Sequence, residues 1–152
     1  DSGGVVLNLR DACSVRNAVT RMNADAYYVE EMITDTVAEV LVAVTADPAH
    51  GYVLTVGAGG IWTELWQDTQ HLLMPVTEVE LDRALNRLRI APVLSGYRGQ
   101  PACDRPAVIA AIMAVQTYVL AQGGRIAEVE INPMIVTPSR AVAADALIRG
   151  DI

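Results

Sequence analysis

"EVEINPMIV", residues 128–136, is the stretch on which the fold turns. Val129, Ile131, Met134, Ile135 and Val136 give it the apolar content of a buried strand, while Glu128, Glu130 and Asn132 alternate with the first of them. Alternation of period two places the three polar side chains on one face. Pro133 has no N–H to give a ladder, so it marks an edge, a bulge or a strand end. From these nine residues alone, a solvated edge face and a functional row of oxygens both stay open.

Working outward, "AVAADALI" (141–148) reads as a second strand, joined to the first by Thr137-Pro138-Ser139. A hairpin of this kind brings Asn132 and Asp145 onto neighbouring strands, about 5 Å apart along the backbone. An amide oxygen and a carboxylate, with Glu130 two residues back, form a hard oxygen set suited to Mg²⁺, which completes its shell with waters and substrate phosphates. A plain polar hairpin face is the alternative.

Upstream, "GGVVLNL" (3–9), "AYYVEEM" (26–32) and "VAEVLVAVTAD" (37–47) read as strands. Asp11 can cap a helix over 12–23, where Val15, Ala18, Val19 and Met22 recur at helical spacing. "YVLTVGAGGIWTELWQD" (52–68) reads as two strands around a glycine-rich break. Thr77 and Glu80 form a capping box for a helix carrying Leu81, Leu85 and Leu88. Residues 91–106 are an irregular connection, and Asp104 and Pro106 open a long helix that Gly123-Gly124 ends. The rhythm is not strictly βαβ, so the expected class is α+β, a largely antiparallel sheet flanked by helices.

The totals agree with one domain over 1–152, with 52% hydrophobic residues. No apolar run approaches the roughly 20 residues of a membrane span. A net charge of −7 argues against a nucleic-acid partner. Cys13 and Cys103 lack metal-ligand spacing and suggest a reducing compartment, hence the cytoplasm. All 11 basic residues are Arg. Schiff-base and P-loop chemistry therefore cannot come from this chain, because both need a lysine.

Further candidates are weaker. Glu30-Glu31-Met32, with Glu39, can offer carboxylates to an amine or a ribose hydroxyl, and Met32 an apolar flank to a flat ring, or all can be solvated surface. "GAGG" (57–60) can cradle an anion through its amides, or simply make a bulge or tight hairpin. Its glycines are spaced wrongly for a dinucleotide fingerprint. Glu64, Asp68 and His71 follow it. His71, like His50 in its turn, reads as a surface or hydrogen-bonded histidine. No Ser/His/Asp or Cys/His arrangement stands out.

Taken in order, "GGVVLNL", "YYVEEM", "AEVLVAVTADPAHG", "GAGGIWTE", "SGYRGQP" and "EVEINPMIV" cover nearly the whole chain. They resemble the C-terminal part of the ATP-grasp domain of NDP-forming acyl-CoA synthetases, with "GAGGIWTE" and "YRGQP" nearer the ADP-forming acetyl-CoA group than succinyl-CoA synthetase β subunits. The resemblance implies an ATP-grasp C-terminal lobe and a site for Mg²⁺ and ATP/ADP. By the "EINP" match, Asn132 and Asp145 would be metal ligands and Glu130 a near neighbour acting through water. By the "YYVEEM" match, Glu30 would sit at the adenine hinge with Met32 close by, and Glu39 near the ribose. The family's preceding lobe, with its nucleotide-binding Lys, is absent from this stretch. A CoA-binding, phosphohistidine-bearing domain or subunit is the expected partner. The complete enzyme would convert acid, CoA and ATP to acyl-CoA, ADP and phosphate. The alternative is a non-catalytic regulatory or interaction module of a fused acyltransferase- or synthetase-like protein.

Overall fold

The computed structural model describes residues 4–60 and 63–150, apart from the side chains of Glu64 and Leu65. Ile61 and Trp62 of the "GAGGIWTE" motif, and the Glu64 side chain, thus lie outside the described residues. The chain forms two compact units, one up to Thr34 and one from Asp35.

The first unit is built on helix α1, Ala12–Met22. Asp11 caps it: its carboxylate accepts from the Ser14 N–H at 2.7 Å, and the Ser14 hydroxyl accepts from the Asp11 N–H at 3.2 Å. This reciprocal pair satisfies donors that a helix start leaves open. The Tyr27 hydroxyl donates to the Val19 carbonyl and accepts from the Ala24 N–H, pinning the chain behind the helix. The strands expected at 3–9 and 26–32 are not formed among the described residues. A strand needs a hydrogen-bonded neighbour, and none of the sheet's ladders includes these segments. Their apolar side chains stay open, with Val5 77% and Tyr28 87% exposed.

The second unit is an antiparallel sheet with helices. Its strands are β1 (Ala38–Asp47), β2 (Gly51–Ala58), β3 (Thr69–Leu73), β4 (Ile126–Val136), β5 (Ala141–Ala143) and β6 (Ala146–Gly150). Their order is β3-β2-β1-β4-β5, with β6 also paired to β4. The segment 141–148, expected as one strand, is two short ones broken around Ala144-Asp145. The second half of 52–68 is not a strand but a short helix, α2 (Thr63–Trp66), with β3 starting only at Thr69. The Thr63 hydroxyl lies 2.8 Å from the Gly60 carbonyl and turns the chain there.

Helices α3 (Glu78–Arg87), α4 (Ala91–Leu94) and α5 (Arg105–Ala121) complete the unit. Leu81 and Leu85 from α3 and Val108, Ile112 and Val119 from α5 join Val40, Val42, Val44, Leu54, Val56, Met134 and Val136 in one core. Each fully buried Leu or Ile there stabilises the fold by about 1.5–3 kcal/mol. The α3 start carries the expected capping box between Thr77 and Glu80. The Gln116 side chain, 6% exposed, bonds both the N–H and the carbonyl of Val76.

Pro133 resolves as a bulge. Val42 pairs with Ile131 and Val40 with Met134, so Leu41 alone faces both Asn132 and Pro133. The extra residue shifts the alternation by one. Val129, Ile131, Met134 and Val136 all stay on the helix-covered face, and Glu128, Glu130 and Asn132 share the opposite one.

Candidate functional site

The β4 row comes first. Glu128 is paired with Arg149 at 3.4 Å. Glu130 lies opposite Ala43 on β1 and Leu147 on β6, and has no ion-pair or hydrogen-bond partner among the described residues. Asn132 is half-buried and precedes a cis peptide bond to Pro133. Its main-chain N–H donates to the Asp145 carbonyl at 3.2 Å, and the Ala144 N–H donates to the Pro133 carbonyl at 3.0 Å. The two backbones therefore meet at the break between β5 and β6, where Asp145 is exposed.

The glycine stretch meets the same place. The Gly60 N–H donates to Asn132 Oδ1 at 2.8 Å, across 72 positions of sequence. The Gly59 N–H donates to the Glu39 carbonyl at 2.9 Å. Gly60 has φ +66°, and a Cβ there would overlap the Glu39 carboxylate. A Cβ on Gly59 would run into the Val40 backbone at 2.6 Å. The loop is thus neither an anion cradle in open water nor a hairpin: it is seated on β1, and it joins Glu39 to Asn132. Glu39 also borders an open cavity of about 380 Å³, lined by Ala58, Gly59, Trp66, Ile90 and Val93 among others.

Asp68 turns out to be an anchor. It is 7% exposed, and its carboxylate accepts from the N–H groups of Arg89 and Ile90 at 2.8 and 3.1 Å. Its carbonyl accepts from the Ala58 N–H. It ties the end of β2 to the turn before α4, which lines that cavity. His71 is exposed, with Thr55 Oγ1 2.9 Å from its Nδ1, and His50 bonds Asp47. Both are hydrogen-bonded histidines.

Glu30 and Met32 belong to the first unit and are exposed there. They border a cavity of about 410 Å³ whose other walls include Val15, Ala18, Val19 and Met22 of α1. Among the described residues, no three His, Cys, Asp or Glu side chains converge into a metal cage. Mg²⁺ does not require one, since one or two protein oxygens plus phosphates and waters suffice. Asn132 Oδ1 keeps a second lone pair beyond the Gly60 bond, and the Asp145 and Glu130 carboxylates have no ion-pair partner among the described residues, so the donor set fits a hard cation.

A family model described as an ATP-grasp domain matches residues 1–149. The chain belongs to the ATP-grasp family. This ATP-grasp chain is 34% identical, over 97% of its length, to a trans-feruloyl-CoA synthase from an unknown prokaryotic organism, and covers 22% of that protein. It is 31% identical to the subunit beta of ADP-forming acetate–CoA ligase II of Pyrococcus furiosus, over 72% of this chain and 48% of the subunit. Among solved structures, the dinucleotide-forming acetyl-coenzyme A synthetase 1 of Ca. Korarchaeum cryptofilum superposes with a TM-score of 0.86 at 26% identity. The match covers 99% of this chain and 69% of that one, which was solved with coenzyme A and Mg-AMPPCP. The ATP-grasp chain thus spans between about a fifth and a half of the curated relatives quoted. Gly60 stands in the "GAGG" candidate, but its contact with Asn132 joins residues 72 positions apart and has no local signature.

Proposed function

We propose that the chain is the nucleotide-holding part of an ADP-forming acyl-CoA synthetase, acting in acid + CoA + ATP → acyl-CoA + ADP + phosphate. The observation that carries this is the joint at Asn132. The residue points away from the core, its oxygen is held by Gly60, its backbone is bonded to Asp145, and Glu39 lies against the same glycine.

Asn132 and Asp145 would hold Mg²⁺, and Glu130 would orient one of its waters. When bound, the ion neutralises phosphate charge, and phosphoryl transfer is mostly positioning and charge compensation. Glu39 would accept from ribose hydroxyls at its cavity. Glu30 and Met32 would meet the adenine; that assignment rests on the "YYVEEM" motif. No residue here is a lysine, so the nucleotide-binding Lys that the resemblance implies would come from another segment or subunit. The CoA-binding, phosphohistidine-bearing partner is proposed on the same basis. The Korarchaeum neighbour, which binds coenzyme A and has a phosphohistidine segment, supports it. Two free cysteines accord with a cytoplasmic setting, and no helix among the described residues is long and apolar enough to cross a membrane.

The test is made in the protein that carries this chain. Asn132→Ala and Asp145→Ala should each lower Mg²⁺-dependent, CoA-dependent phosphate release from ATP by at least about a hundredfold, the scale of losing one group that stabilises transition-state charge. Glu128→Ala, which removes only the partner of Arg149, is the control. Normal rates in both site variants assign the metal to other residues.

A further inference from the structure

We propose that Gly60 is a positioning residue for the metal site: its N–H orients the Asn132 amide and its missing side chain makes room for Glu39, so that the two are set as one unit. The inference rests on the metal reading above. An asparagine amide presents either an oxygen or an NH₂ to a given side, and only the oxygen can ligate a cation. The Gly60 N–H, 2.8 Å from Oδ1, is a donor and so requires the oxygen on its side. One lone pair is then used and the other is left for a cation. Without the N–H the amide is free to turn its NH₂ toward the metal, where it repels.

The loop that delivers this N–H is itself immobilised. Gly59 donates to the Glu39 carbonyl, and its α-carbon has no room for a side chain against Val40. The Thr63 hydroxyl lies 2.8 Å from the Gly60 carbonyl and 3.2 Å from that of Ala58. At Gly60 a side chain meets both a φ of +66°, which L residues rarely adopt, and the Glu39 carboxylate, which would have to swing aside. A purely structural turn would need the positive φ; it would not need its N–H aimed at a side-chain oxygen on the far side of β1.

Two measurements test this. In hydrogen exchange followed by NMR, Asn132→Ala should speed exchange of the Gly60 amide by about tenfold or more, while the Gly59 amide, held by Glu39, stays protected. Equal protection of Gly60 in both proteins overturns the proposal. The second reads affinity for Mn²⁺ alone, by water-proton relaxation. Gly60→Ala, and a backbone ester at position 60 that deletes only the N–H, should each weaken Mn²⁺ by about 10–100-fold, the usual effect of removing a partner that orients a ligand. The ester keeps the test valid if the alanine variant fails to fold. If Asn132→Ala and Asp145→Ala weaken Mn²⁺ but the ester does not, the Gly60 role is wrong and the metal reading stands. If neither of those variants weakens it, or the parent protein gives no relaxation enhancement, the metal reading falls and this inference with it.

Discussion

Replacing Asp68 by Ala should be among the costliest single polar changes in the second unit. The carboxylate is 7% exposed and accepts two main-chain N–H groups, those of Arg89 and Ile90. A hydrogen bond to an ionised group contributes about 1.5–3 kcal/mol, and a buried donor left without a partner costs about as much. Ile90 is buried, so its N–H cannot turn to water; Arg89 is exposed, so its N–H can. The expected loss is therefore about 3 kcal/mol rather than twice that. For a unit of this size it corresponds to a fall in Tm of roughly 10–15 °C. Asp68→Asn keeps one acceptor but turns an NH₂ toward the other N–H, and should fall between Ala and the parent. Urea unfolding followed by circular dichroism measures the loss, and hydrogen exchange shows whether the Ile90 amide has opened. A loss under about 1 kcal/mol, within the scatter of ordinary surface changes, with Ile90 still protected, refutes the reasoning.

Three further outcomes are expected. The Thr77 N–H and hydroxyl hold the Glu80 carboxyl below the usual carboxylate range, so its contribution is present above the unfolded value and disappears as pH falls through the lower folded one. Thr77→Ala, which removes the hydroxyl but keeps the N–H, should cost about 1 kcal/mol at neutral pH and reduce, without abolishing, the loss of stability below about pH 4.3, the ordinary Glu value; an unchanged acid slope contradicts this. Gln116→Leu should destabilise by about 2–4 kcal/mol, because both backbone groups of Val76 lose their partner in the core. Burial pushes the Cys103 thiol up, whereas Cys13 is exposed. Iodoacetamide at pH 8 should therefore modify Cys13 alone in the native protein and both residues in denaturant. Mass spectrometry showing native labelling of Cys103 contradicts that placement.

Much of the fold was legible because its signals are local. The Thr77–Glu80 box, Asp11, the Asp104-Arg105-Pro106 start and the Gly123-Gly124 stop place α1, α3 and α5 to within a residue or two. The three polar residues of β4 do share a face, and Pro133 is one of the three things its chemistry allows. The failures have physical causes too. The segments at 3–9 and 26–32 have strand-like composition, but a strand is a pairing, and composition does not supply a neighbour. The second half of 52–68 reads as a strand, yet Thr63–Trp66 is helical and β3 starts only at Thr69. At the site, Asn132 and Asp145 were visible as a spacing, and Asp68 as an acid near a glycine loop. That Asp68 is a buried backbone anchor, and that Gly60 reaches Asn132, depend on contacts over 21 to 72 positions, which no short window contains.

Calorimetric titration of the chain with ATP, in Mg²⁺ and again with EDTA, tests most directly the claim that it holds one wall of a metal–nucleotide site. ATP carries about four negative charges, and at the proposed site Glu39, Glu130 and Asp145 would repel it unless a cation intervened. Each charged hydrogen bond that the chain does not itself provide costs about 1.5–3 kcal/mol, so two missing ones weaken affinity by at least about a hundredfold. The account predicts heat only with Mg²⁺, with a Kd near or above about 1 mM, worth roughly 4 kcal/mol of binding. Micromolar, Mg²⁺-dependent binding would contradict the half-site, and binding that survives EDTA unchanged would contradict the metal ligands themselves.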